Sequence, residues 1–289
     1  MAFDELMGLT NRLLSSAQAL AAIAAYLRLD ELGVEGDPEL RRQLQRVLDE
    51  LGVREKVDSL EQPQRSVLLS FARSYLAQAV DLVEDPGRAS SWSHSDPALL
   101  QAQGRASGVV ATLMAEAGLG RDDARILDVG TGVAGLATAF CQVFREVTVV
   151  GIDPWPPSLE IARESVAAAG LEDRITLVEN TIQDFEDPEG FDLAWLPSFF
   201  VPEPVLDAAI ARLFQLLRHA GMLVVGVTFA DEGDPVVAAT DDLFTIRSGG
   251  SVLGPQDAIN RLERAGFKGV HEVERTWNPP LRFVVGNRP

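Results

Sequence analysis

Cysteine is nearly missing from this chain: Cys141 is the single one among 289 residues. An intrachain disulfide and a multi-cysteine zinc site are thereby excluded, and one unpaired thiol fits a reducing compartment. Cys141 lies in the apolar stretch 136–144 with no histidine near it in sequence, so a buried core thiol is expected rather than a nucleophile. Histidine is almost as scarce. The three present, His94, His219 and His271, show no ligand spacing, and no metal site is expected. Basic residues are in deficit, 25 Lys plus Arg against 43 Asp plus Glu, for a formal net charge of −18. Such a field repels polyanions and offers no basic face to displace counterions, which argues against a nucleic-acid partner. Long hydrophobic runs are missing too. The stretch 13–29 is interrupted by Ser15, Ser16, Gln18 and Arg28, too short and too polar to span a bilayer. Asp4 and Glu5 stand where a basic leader would be, so no secretory signal and a cytoplasmic location are expected.

What is present reads as two regions. Residues 1–90 show helical periodicity and almost no strand signal. Leu9, Leu13, Leu14, Ala17, Leu20, Ala21 and Ala24 follow helical spacing, which predicts one buried stripe. A break at 33–38 precedes a helix over 38–51, with Pro38 in its first turn and Gly52 past its end. A third helix is expected from 62 to 83. Glu84-Asp85-Pro86-Gly87 ends it, and a polar connector carrying Trp92 and His94 follows. The reading is a small all-helical N-terminal domain, 1–90, followed by a domain over 91–289.

After a helix predicted over 99–118, the second region alternates helices with short β-branched runs. Strands are predicted at 125–129, 147–152, 175–178, 191–196, 222–227, 270–276 and 282–285. Helices are predicted at 134–144, 159–170 and 205–219. Such alternation implies a parallel sheet covered on both faces. Asn278-Pro279-Pro280 is too short for a helical crossover, so the last two strands should form an antiparallel pair at one edge.

The most informative segment is Ile126-Leu127-Asp128-Val129-Gly130-Thr131-Gly132-Val133-Ala134-Gly135, a strand running into a glycine-rich turn and a helix. Gly130 and Gly132 permit a backbone conformation and a close ligand approach that a side chain would block. The same six residues from Gly130 match a dinucleotide fingerprint, with Asp153 ending the next strand, so an NAD-dependent oxidoreductase is a rival. Asp128 decides between the two. A carboxylate two residues before the first glycine would repel a pyrophosphate at the helix N-terminus, whereas it favours a sulfonium and an ammonium. Asp153 is placed to accept hydrogen bonds from both ribose hydroxyls of an adenosine.

These pieces occur in a fixed order: the Asp128/Gly130/Gly132 loop, Gly151-Ile152-Asp153, Arg174 to Glu179, Phe191 to Trp195, Gly221 to Val225, and Gly266-Phe267. Together they resemble the class I, Rossmann-like, S-adenosylmethionine-dependent methyltransferases over residues 98–289. The resemblance implies an α/β fold with a seven-stranded, mostly parallel sheet in the order 3-2-1-4-5-7-6, the last strand antiparallel. It implies S-adenosyl-L-methionine as cofactor, bound over the carboxyl ends of the strands. Asp128, Gly130, Thr131 and Gly132 would hold the methionine part, Asp153 and Trp155 the ribose and adenine. Leu196 or Pro197 would offer backbone contact near the amino group. The family often has an acid after the third strand to read the adenine amine. Here Thr181 stands there, so Thr181, Gln183 or Asp184 would substitute, with the Ile182 amide donating to the ring.

Methyl transfer needs the acceptor held in line with the methyl group, and a base only where the acceptor must lose a proton. The stretch after the fourth strand, Leu196-Pro197-Ser198-Phe199-Phe200, lacks the polar residue that amide- and adenine-methylating relatives carry. A small-molecule acceptor is therefore expected, with O-methylation slightly ahead of N- or C-methylation. His94 is the candidate base, set where the two regions meet, and linker packing is its alternative role. His219 at a helix end and His271 on an edge strand read as structural. Trp92, Phe199, Phe200, Phe229 and Trp277 are wall or core candidates. The helical region would be a lid or a homodimer contact. A protein that binds the cofactor without transferring methyl is the remaining alternative.

Overall fold

The computed structural model describes residues 2–92, 96–228, 234–277 and 281–289. The chain separates into two compact units, 1–86 and 87–289.

The first unit is helical: α1 (Ala2–Leu32), α2 (Pro38–Glu50), α3 (Arg54–Asp58) and α4 (Gln62–Glu84). Asp37 caps α2 by accepting the Leu40 amide at 2.8 Å, and Pro38 occupies the first turn, where a missing N–H costs nothing. The core gathers Leu27, Leu44, Leu48, Val57 and Leu69. Asp30 ties α1 to both neighbours, accepting Arg65 at 2.8 Å and Arg41 at 3.0 Å. The buried stripe expected on α1 holds only in its second half. Ala24 and Leu27 are buried, whereas Leu9, Leu13 and Leu14 are 44%, 59% and 51% exposed. Length is one reason: α1 has 31 residues, against 13 in α2 and 23 in α4, so neither packing partner is long enough to cover it from end to end. The short α3 carries no apolar period long enough to announce it.

In the second unit, α5 (Pro97–Ser107) and α6 (Val109–Glu116) lead into β1 (Arg125–Val129) and α7 (Gly135–Val143). Next come β2 (Thr148–Asp153), α8 (Pro156–Ala168), β3 (Ile175–Glu179) and β4 (Phe191–Pro197). A single 3₁₀ turn, Ser198–Phe200, then leads to α9 (Glu203–Leu216) and β5 (Leu217–Thr228). The chain ends with α10 (Pro235–Arg247), α11 (Pro255–Arg264), β6 (Lys268–Glu272) and β7 (Leu281–Asn287). The sheet order is β3-β2-β1-β4-β5-β7-β6. β1 to β5 are parallel, and β7 runs antiparallel to both β5 and β6, as the strand pattern predicts. The linker at 278–280, on which the edge-pair argument rested, lies outside the described residues.

Alternate strand residues enter opposite cores, which is the period-2 signature of a sheet covered on both faces. Ile126, Val149, Trp195, Val224 and Phe283 join α6, α7 and α8 on one side. Leu127, Val150, Leu196, Val225 and Val284 join α9 and α11 on the other.

Three readings are corrected. The helix predicted over 99–118 is two, broken at Gly108, whose amide bonds three residues back to Arg105. The helix predicted to reach His219 ends at Leu216, so His219 falls within β5, in the irregular stretch between the Leu217 and Met222 pairings to β4. β5 consequently starts five residues before the predicted 222, with a register shift that accommodates Ala220 at φ 62°.

Candidate cofactor site at the carboxyl ends of β1, β2 and β4

The parallel strands bring the turn after β1, Asp153 of β2 and Leu196-Pro197 of β4 to one sheet edge. The turn is held from below. The Gly130 and Thr131 amides donate to the Ile152 carbonyl at 2.9 and 3.0 Å. Gly130 and Gly132 have φ of 69° and 57°, the left-handed region that a side chain strains. Their faces are open: a Cβ on Gly130 would meet nothing nearer than Pro197 at 4.0 Å, and one on Gly132 only the Gly130 carbonyl at 4.0 Å. Gly151, one strand over, is glycine for a different reason, since its Cβ would stand 2.6 Å from the Thr131 hydroxyl.

Two carboxylates frame this turn. Asp153 is 8% exposed, and its two oxygens accept the amides of Gly132 and Trp155, each at 2.8 Å. Burial raises its pKa against the lowering effect of those two amides. Asp128 is 1% exposed and accepts the Thr131 hydroxyl at 2.7 Å. Burial pushes its pKa up to about 7, the Thr131 bond opposes that, and Asp153 adds to it. Asp128 therefore sits beneath the turn as a buried, near-neutral acid, and its charge at pH 7 depends on what lies above it.

The other predicted positions fall around the same edge. Trp155 is half-buried and caps α8. Ile182, Leu196 and Pro197 are buried. The Thr181 hydroxyl donates to Asp184 at 2.9 Å, and the Asn180 amide reaches the Asp153 carbonyl at 3.3 Å, joining the ends of β3 and β2. His94 and Phe229 lie outside the described residues. Trp92, Phe199 and Phe200 form an edge-on chain, with ring centroids 5.1 and 5.0 Å apart, just beyond β4. Trp277 does not join them. It packs 5.1 Å from Phe283 in the core and donates its indole N–H to the Leu281 carbonyl. His219 and His271 are exposed and distant from this edge in the strand order, His219 at the amino end of β5 and His271 on the outer strand β6.

Sequence reasoning missed the polar stitches beneath the aromatic chain. Ser198 donates to the Gly226 carbonyl at 2.8 Å, and Ser251 donates to the Val201 carbonyl at 2.7 Å. A lone serine after a strand carries no signal of such a role.

The residues suit a cationic adenosine ligand better than a dinucleotide. Open glycine faces leave room for a ligand. The buried Asp128 would be stabilised in its charged form by a sulfonium and destabilised by a diphosphate. At α8, Pro156 and Pro157 bring no N–H, and the Trp155 amide is committed to Asp153, so that terminus offers little to a phosphate on the ribose.

Residues 126–221, the span from β1 through this edge into β5, match a family model described as a methyltransferase domain. Over that span the chain carries a methyltransferase domain, set on a Rossmann-like sheet. The cofactor of such domains is S-adenosylmethionine. In sequence, the chain is 29% identical over 150 residues to L-tyrosine C(3)-methyltransferase of Streptomyces lavendulae, covering 50% of this chain and 41% of that protein. It spans less than half the length of the curated relatives it matches. In fold, it is similar to the mitomycin 7-O-methyltransferase MmcR (TM-score 0.63, 20% identity), covering 100% of this chain and 99% of that one. It is also similar to human N-acetylserotonin methyltransferase in complex with SAM (TM-score 0.66, 16% identity), covering 98% of this chain and 97% of that one.

Proposed function

We propose that the chain transfers the methyl group of S-adenosylmethionine to a small-molecule acceptor, with an oxygen nucleophile ahead of nitrogen or carbon. The observation that carries this reading is the Asp153 clamp on Gly132 and Trp155, beside two open glycine faces and above a buried Asp128. When bound, the cofactor supplies a methyl group already activated by a positive sulfur. Asp153 accepts the ribose hydroxyls while its backbone partners keep its orientation. Asp128 provides a charge that the cationic ligand stabilises, and Leu196 and Pro197 close the side toward β4. Trp92, Phe199 and Phe200 wall the acceptor and keep water from it. The likeness to a mitomycin 7-O-methyltransferase supports an oxygen acceptor; the tyrosine C-methyltransferase leaves carbon as the second choice. His94 is the proposed base for an acceptor that loses a proton, and His94→Ala should slow turnover with cofactor affinity intact.

Titration of S-adenosylmethionine and NAD, followed by incubation of the enzyme with labelled methyl donor and a panel of phenols and amines, tests the proposal. Saturable binding of the first ligand alone and label in a phenol are expected. Preferential NAD binding overturns it, and tight binding with no transfer to any acceptor leaves the non-catalytic alternative standing.

The helical unit is proposed to join two copies of the chain. Phe3, Leu6, Met7, Leu13 and Leu14 recur at helical spacing on the exposed half of α1, an apolar stripe that water does not favour. Sedimentation should give a dimer that Leu13→Glu dissociates, and a monomeric wild type refutes it.

A further inference from the structure

Beyond the strand ends, the glycine turn has an outer wall that the motif does not mention. α5 crosses the start of α7 so closely that two glycines meet backbone to backbone. A Cβ on Gly135 would lie 1.9 Å from the Gly104 carbonyl oxygen. That same carbonyl accepts the Ser107 hydroxyl at 2.7 Å. A Cβ on Gly104 would lie 2.2 Å from Cγ2 of Val133 and 3.7 Å from its Cβ. One turn on, Gly108 faces Ala139 of α7, 3.5 Å from where its Cβ would be. Gly104 and Val133 are both buried.

Val133 directly follows Gly132, whose amide is held by Asp153. A side chain leaning on Val133 from α5 therefore acts one peptide away from the hydrogen bond that positions the ribose-binding carboxylate. Val133 cannot retreat freely, because Ala134 beyond it is fully buried and already holds φ at 62°, the conformation that non-glycine residues resist.

We propose that Gly104 of α5 is a positioning residue for the cofactor: with Val133 it forms a brace that sets where the Gly132 amide and Asp153 stand. The proposal rests on the reading of this edge as a cofactor site. The contact acts in both directions. Adding a methyl group at Gly104 pushes Val133 and the turn out of place. Trimming Val133 leaves a gap at the brace and lets the turn wander. Making both changes puts a methyl group roughly where the lost Cγ2 stood.

Calorimetric titration of S-adenosylhomocysteine, a binding readout independent of turnover, tests this on the full chain. Gly104→Ala should weaken binding about tenfold, Val133→Ala about threefold, and the double variant should return to within about threefold of wild type. Thermal melting of each variant runs alongside. Affinities that fall in the double variant as the product of the two single losses overturn the brace, as does wild-type affinity in Val133→Ala, a small loop truncation expected to fold. Lowered melting temperatures with unchanged affinities reduce Gly104 to a helix-packing residue and also overturn it. If Gly104→Ala fails to fold, the folded double variant decides by its affinity. Wild type that binds no S-adenosylhomocysteine at all signals instead that the cofactor reading itself is at fault.

Discussion

Asp153, at the end of β2, holds the turn after β1 in place by accepting the amide proton of Gly132 at 2.8 Å. Twenty-one residues separate them in the chain, yet one carboxylate oxygen settles the height of the glycine turn while the other settles the start of α8 through Trp155. A single side chain thus aligns the two halves of the proposed site, and such preorganisation leaves less ordering to oppose binding.

Replacing Asp153 should reach affinity more than folding. Asp153→Ala is expected to weaken S-adenosylmethionine binding by about 1–3 kcal/mol through lost charge-assisted hydrogen bonds. Asp153→Asn keeps one acceptor oxygen for the backbone and should fall between the two. Equal affinities across the three proteins, measured by calorimetry, would take Asp153 out of the site.

Asp128 should make both stability and affinity depend on pH, in opposite directions. Its folded pKa, about 7, stands above the unfolded carboxylate range because burial penalises the charge. The folded state therefore holds a proton that the unfolded state has lost. The contribution is fully present below about pH 4, declines as pH rises, and is gone above about pH 7, on the order of a few kcal/mol. Asp128→Asn, which keeps an acceptor for Thr131, should lose that slope and melt higher than wild type at pH 8.5 without ligand. Binding of the cationic cofactor favours ionised Asp128, so wild-type affinity should climb through pH 7, and the Asn variant should bind more weakly with a flat profile. Parallel melting curves for the two proteins from pH 5 to 8.5 would contradict this.

Ala220 offers a gain in stability away from the site. It is exposed, with φ at 62°, in the turn that interrupts the β4–β5 register. Its amide donates to the Arg288 carbonyl, a bond glycine can also make. Ala220→Gly should relieve strain of about 1 kcal/mol and raise the melting temperature of a unit this size by about 2–4 °C. A lower melting temperature would show that the turn is not strained.

Within the helical unit, Asp30 is the electrostatic tie, bonded at once to Arg41 and Arg65. All three side chains remain partly open to water, so Asp30→Ala should cost only about 1 kcal/mol. The loss should shrink in 0.5 M salt, where exposed pairs are screened. A salt-independent loss of several kcal/mol would point to packing instead.

Much of this protein was legible in one dimension because the signals are local. A strand, two glycines and a helix within ten residues announce a ligand-binding turn, and an acid at the next strand end completes it. Alternating apolar periods of 2 and about 3.6 state which elements exist, and a short last connection gives the antiparallel end, while the sheet order comes from the resemblance to a known family. Three-dimensional packing decided the rest. Only there does Asp128 become a buried acid stabilised by Thr131, does Trp277 join the core while Trp92 meets Phe200, and does the first half of α1 emerge without cover. Gly104 and Val133 are 29 positions apart, and no periodicity links them. Their contact exists because α5 and α7 cross at Gly104 and Gly135, where neither helix carries a side chain, and such a coincidence of shape is created by tertiary structure alone.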